Sequence, residues 1–140
     1  MQKINIEDIE YIAMGSTVLG TGGGGDPYIG KLFAKEAMKK YGEVALIKAS
    51  ELEDDALVVP IAAFGAPMIL VEKLFSGDEF IKAFEMMESY LGRKIDAVMP
   101  AEAGGLNGVI PFSIAAQKQI PLVDADGMGR AFPRLEMTTF

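Results

Sequence analysis

Apolar residues recur along this chain at two periods, and the switches between them set out an order of elements. Ile6, Ile9, Ile12, Ala13, Ser16 and Leu19 fall on one face at helical spacing, and Asn5 stands where an N-cap belongs. That helix stops at the tract Gly20-Thr21-Gly22-Gly23-Gly24-Gly25. Asp26 and Pro27 restart a helix as N-cap and first helical residue, and it runs to Tyr41-Gly42, where glycine suits a C-cap. Val44 to Ala49 reads as a short strand, followed by the acidic turn Glu51 to Asp55. Ala56 to Ala63 is a continuous apolar run, as expected of a strand covered on both faces. Gly65-Ala66-Pro67 breaks it, and Met68 to Leu74 reads as helix. Glu79 to Leu91 is amphipathic, with Phe80, Phe84, Met87 and Leu91 predicted on the inner face. Ile95 to Pro100 is a further buried strand, Asn107 to Lys118 a helix with Pro111 near its first turn, and Ile120 to Val123 the last strand.

Strands alternating with helices predict an α/β fold: a mostly parallel sheet with helices on both faces, three layers in all, forming one domain over residues 1–140. Half of the residues are apolar, enough for a sizeable core. Thirteen basic against twenty acidic residues give a net charge of −7, which repels nucleic acid and anionic membrane surfaces. The acidic N-terminal stretch lacks the apolar core of a secretory signal. The longest apolar run, Leu57 to Val71, is shorter than the roughly 20 residues of a membrane span. A cytoplasmic protein is the expectation. Nine methionines and the apolar stretch Leu135 to Phe140 suit a homo-oligomer or a partner surface.

The sequence contains no cysteine and no histidine. Thiolate chemistry, a Ser-His-Asp triad and an imidazole-ligated zinc site are therefore excluded within it. Acid–base work falls to Asp, Glu, Lys or Tyr, and any cation would be a divalent one on oxygen ligands.

In parallel sheets ligands sit beyond the carboxyl ends of the strands. Three clusters follow predicted strands: Phe64-Gly65-Ala66, Glu102 to Asn107, and Asp124 to Arg130. Gly25 to Lys31 has the spacing of a phosphate-binding loop, but Leu32 replaces the required Ser or Thr and Pro27 removes a donor, so no nucleotide is expected. What remains is that Gly22, Gly23, Gly24 and Gly25, with Asp26, allow close backbone approach of a small-molecule substrate beside a helix start. Glu102 offers a general base or metal ligand, Gly104 and Gly105 bare main chain, and Asn107 an amide to orient a polar substrate. The plainer alternative makes Glu102 a solvated turn residue and Asn107 a helix cap. Asp124 and Asp126, two residues apart, would share one side of an extended chain and hold a hard cation, though the EF-hand pattern fails at Met128. Arg130 would bind a carboxylate or imide-like group, or pair with Asp126.

Three strings carry a resemblance: Leu19-Gly20-Thr21-Gly22-Gly23-Gly24-Gly25-Asp26-Pro27, Glu102-Ala103-Gly104-Gly105-Leu106-Asn107, and Pro121 through Pro133 around Asp124-Ala125-Asp126-Gly127-Met128-Gly129-Arg130. From about Ile6 to Phe140 the chain resembles the S-methyl thiohydantoin desulfurase-like family. The resemblance implies the N-terminal α/β domain of a longer, two-domain protein whose second domain is β-rich. It also implies hydantoin and related cyclic-amide metabolism, with a hydantoinase- or oxoprolinase-type partner. Glu102, Asp124, Asp126 and Arg130 then become the expected catalytic residues, with Gly22 to Gly25, Asp26, Gly104, Gly105 and Asn107 binding substrate. The reaction implied is hydrolytic desulfurisation of a thiohydantoin-like ring. The alternative is a non-catalytic small-molecule-binding or hydantoinase-partner subunit.

Overall fold

A computed structural model describes residues 1–65, 68, 72, 73 and 76–139. The strands are β1 (Gln2–Ile4), β2 (Val44–Ile47), β3 (Val58–Ile61), β4 (Ala97–Pro100) and β5 (Leu122–Val123). Among the described residues the α-helices are α1 (Asp8–Gly20), α2 (Pro27–Tyr41), α3 (Glu79–Leu91) and α4 (Ile110–Lys118). The sheet order is β1-β2-β5-β4-β3, with β2, β5, β4 and β3 parallel and β1 antiparallel on the β2 edge. This is the expected α/β fold on a mostly parallel sheet. No helix among the described residues is long and apolar enough to cross a membrane.

Register builds the core. Val59 pairs with Val98, Val98 with Leu122, and Leu122 with Leu46, so these side chains share one face of the sheet. Ile110, Ile114, Ala34 and Met38 from α4 and α2 join them in one cluster. Helix α4 is buried from Ile110 to Ala116 because it packs against β2, β4 and β5 and also against α2. At the periphery, Lys35 and Lys31 hold the Glu10 carboxylate, Lys31 at 3.0 Å, and tie α2 to α1. Those ammonium groups, Lys35 first, keep the Glu10 carboxyl below its ordinary value.

Local sequence explains most helix ends. Asn5 Oδ1 accepts the N–H groups of Glu7 and Asp8, while Asp8 Oδ2 accepts that of Asn5, a reciprocal cap ahead of α1. Asp26 caps α2 through Tyr28 N at 2.9 Å, with Pro27 in the first turn. Other details depart from the sequence reading. Strand β1 was not foreseen. The helix expected over Asn107–Lys118 is divided: a 3-10 turn covers Gly105–Gly108 and α4 begins after Val109. On α3 the inner face is Phe80, Ile81 and Phe84, whereas Met87 and Leu91 lie exposed beside Met86 and Tyr90. The helix expected over Met68–Leu74 lies largely outside the described residues, as does Phe140.

Because four strands run parallel, the segments leaving Ile47, Ile61, Pro100 and Val123 emerge at one edge of the sheet.

Candidate functional site

Two strand-end segments meet at that edge around Glu102. The residue follows β4 by two positions and is only 6 % exposed. Its Oε1 accepts a hydrogen bond from Asn107 Nδ2 at 2.8 Å, and its Oε2 accepts the Phe132 N–H at 3.2 Å. Both donors are neutral. A carboxylate has about four lone-pair sites, so two stay open to a further donor. Asn107, 3 % exposed, is turned toward β3: Oδ1 accepts the Ala63 N–H at 2.7 Å and Nδ2 donates to the Ala63 carbonyl at 3.1 Å. The plainer alternative for this pair is thereby overturned. Glu102 is not solvated, and the Asn107 side chain caps no helix.

Main chain supplies the wall beside the carboxylate. The Gly24 and Gly25 carbonyls accept the N–H groups of Asn107 (3.3 Å) and Leu106 (3.1 Å), pinning the glycine tract onto the 3-10 turn. A Cβ on Gly24 would run into the Gly104 carbonyl oxygen and stand 2.9 Å from Glu102 Oε1. One on Gly105 would lie 2.6 Å from the Gly23 carbonyl oxygen. One on Gly104 would lie 2.8 Å from Gly20 Cα, so the end of α1 also rests directly on this turn. Glycine at these places is required by backbone-on-backbone contact.

The third segment is bound in by Asp126. Its Oδ2 accepts the N–H groups of Ala103 (2.8 Å) and Gly129 (2.7 Å), and the Gly127 N–H donates to the Ala101 carbonyl (3.0 Å). Asp126 therefore holds the Glu102 loop to the segment after β5. Arg130 makes no ion pair with Asp126; its guanidinium stacks on Phe132, 4.2 Å from the ring centroid, and donates to the Ala131 carbonyl at 3.2 Å. Arg130 is exposed and stands two residues before Phe132, whose N–H bonds to Glu102. Asp124 is exposed, with its N–H on the Ile47 carbonyl at 2.7 Å. Gly22 and Asp26 are also exposed, Gly22 with nothing within 4 Å of an added Cβ.

The structure thus gathers Glu102, Asn107, Gly23, Gly24, Gly25, Gly104, Gly105 and Asp126, and leaves Gly22, Asp26, Asp124 and Arg130 exposed, Arg130 stacked on Phe132. Sequence reasoning missed two main-chain participants, Ala63 and the Phe132 N–H. The end of a predicted strand signalled the first; nothing local signalled the second. Among the described residues no group of three or more acidic side chains is arranged to hold a metal ion. Two surface depressions, of about 440 Å³ between Glu85, Arg93 and Lys118 and about 480 Å³ between Phe33, Lys40 and Asp78, are lined by no residue of this cluster. Both depressions are open and flanked by paired surface charges.

Comparison with known proteins agrees with the three strings noted above. A family described as "S-Me-THD-like, N-terminal domain" matches residues 7–140. A crystal structure of a protein from Chromobacterium violaceum is similar, with 28% sequence identity and a TM-score of 0.76. The alignment covers 99% of this chain and 38% of that one, so the chain spans well under half the length of its structural relative. No curated protein matches.

Proposed function

Since the chain belongs to the family of S-Me-THD-like N-terminal domains, we propose that it takes part in hydrolytic desulfurisation of an S-methyl thiohydantoin or a related hydantoin-like cyclic amide. The observation that carries this reading is the Glu102 carboxylate: buried, held by neutral donors and set against bare glycine main chain. Such a group suits a general base, because both of its hydrogen-bond donors are neutral and they fix its orientation.

In this scheme Glu102 accepts a proton as water oxygen bonds to the ring carbon that carries sulfur. The carbon–nitrogen double bond becomes single, and the ring nitrogen takes up one water proton. Collapse of the tetrahedral centre forms the carbonyl and breaks the carbon–sulfur bond. The second proton passes from Glu102 to sulfur, and methanethiol leaves. Arg130, with most of its five donors uncommitted, stabilises negative charge as it develops. Asp126 supports the loop, and Gly23 to Gly25 with Gly104 and Gly105 pack main chain against the carboxylate.

The test is released thiol from S-methyl thiohydantoin with the intact protein. Glu102→Gln is expected to lower turnover by about 10²- to 10⁴-fold. No release by the wild type refutes the proposal, and unchanged turnover by the variant removes Glu102 from the reaction. The depth of Glu102 supports one second reading, a non-catalytic binding or partner subunit. Stabilisation by the hydantoin ring without thiol release would favour it.

A further inference from the structure

We infer that Asn107 is a positioning residue for the reaction proposed above, fixing the Glu102 carboxylate relative to the end of β3, and is not a contact for the substrate. The inference rests on the hydrolytic reading of Glu102 and follows from an inventory of donors. A side-chain amide carries two N–H hydrogens. Asn107 directs its Nδ2 to the Ala63 carbonyl at 3.1 Å and to Glu102 Oε1 at 2.8 Å, so both hydrogens are committed. Its Oδ1 already accepts the Ala63 N–H at 2.7 Å. The residue is 3 % exposed, and no donor is left to offer a ligand.

The paired bonds to Ala63 imitate a strand partner. They extend the order of β3 two residues past Ile61, across a sequence separation of 44. The same amide then fixes one carboxylate oxygen of Glu102, so Ala63 and Glu102 move together or not at all. Replacement with Asp keeps an acceptor for Ala63 but places a second carboxylate where Glu102 needs a donor. Replacement with Ser is too short to reach either partner. A residue that held substrate would act differently: its loss would raise KM and leave kcat intact.

Thiol release from S-methyl thiohydantoin would be measured for the wild-type full chain, Asn107→Asp and Asn107→Ser. Expected is a fall in kcat of about 10²-fold, as for a small misplacement of a reacting group, with KM changed by less than about threefold. Ser, which adds no charge, carries the test if Asp prevents folding. Faster amide exchange at Ala63 in the same variant would show that the β3 end had been released with the carboxylate. Wild-type kcat in a folded variant, or a raised KM with kcat preserved, overturns the assignment while leaving the hydrolytic reading intact. A wild type that releases no thiol refutes that reading, and this assignment falls with it.

Discussion

Gly24→Ala tests the geometry of the glycine wall most directly. Gly24 has φ +75°, where a Cβ costs about 1–2 kcal/mol through its clash with the chain's own carbonyl. The new carbon would also strike the Gly104 carbonyl oxygen and stand 2.9 Å from both Gly104 C and Glu102 Oε1. Gly104 is itself packed on Gly20, whose Cα would stand 2.8 Å from a Cβ on Gly104, and retreat of Glu102 strains its bond to Asn107. Overpacking of this kind adds about 1–3 kcal/mol, for a total of roughly 2–5 kcal/mol. Gly22→Ala separates the two costs. Gly22 has φ +91° but nothing within 4 Å of an added Cβ, so only the backbone cost of about 1–2 kcal/mol applies. Gly15→Ala is the opposite control: an exposed residue inside α1 with nothing within 4 Å, where alanine stabilises by about 0.5–1 kcal/mol. Thermal unfolding followed by circular dichroism would rank them. With about 3–5 °C per kcal/mol at this chain length, Gly24→Ala should melt roughly 3–15 °C below Gly22→Ala, and Gly15→Ala above the parent. Equal melting of the Gly22 and Gly24 variants would refute the close approach of the tract to Gly104.

Two further outcomes are expected. Asp126→Ala strands the N–H groups of Ala103 and Gly129 and should cost about 1–3 kcal/mol in denaturant unfolding, whereas Asp126→Asn, which keeps an acceptor, should cost less. Full stability of Asp126→Ala with lost turnover would instead assign that carboxylate to the chemistry. Glu79 accepts the N–H groups of Ser76 (2.9 Å) and Gly77 (3.0 Å), and these bonds, that of Ser76 first, lower its carboxyl from an ordinary 4.5 to about 2. With the folded value below the unfolded one, the contribution is present above about pH 4.5 and disappears as pH falls toward about 2. Protection of the Ser76 and Gly77 amides, taken relative to the intrinsic exchange rate at each pH, should fall across that window, and Glu79→Gln should abolish the step. A step that persisted in the variant would belong to another group.

How far the sequence reached depended on the distance over which each feature is decided. Caps are decided within four residues, and Asn5, Asp26-Pro27 and Gly42 were readable from the chain alone. The buried strands were readable from their apolar runs, although Val44–Ile47 and Leu122–Val123 are shorter than those runs, because pairing ends before hydrophobicity does. Strand β1 was not readable. Three residues with a mixed pattern become a strand only when Ile4 meets Val44, forty positions along the chain. For the same reason Met87 and Leu91 could be placed on a helix but not on its inner face, which is set by what packs against it. At the candidate site, position and residue type were legible for Glu102 and Asn107. Their burial and their wiring to Ala63 and Phe132 were not, since those partners come from other segments.

The wall beside Glu102 also limits how this domain could be re-engineered. Where peptide planes touch at Gly20, Gly24, Gly104 and Gly105, a library of larger residues would be emptied by misfolding before any new preference was sampled. Useful diversity would have to enter from the rim, at Thr21, Gly22 or Phe64, each open to solvent.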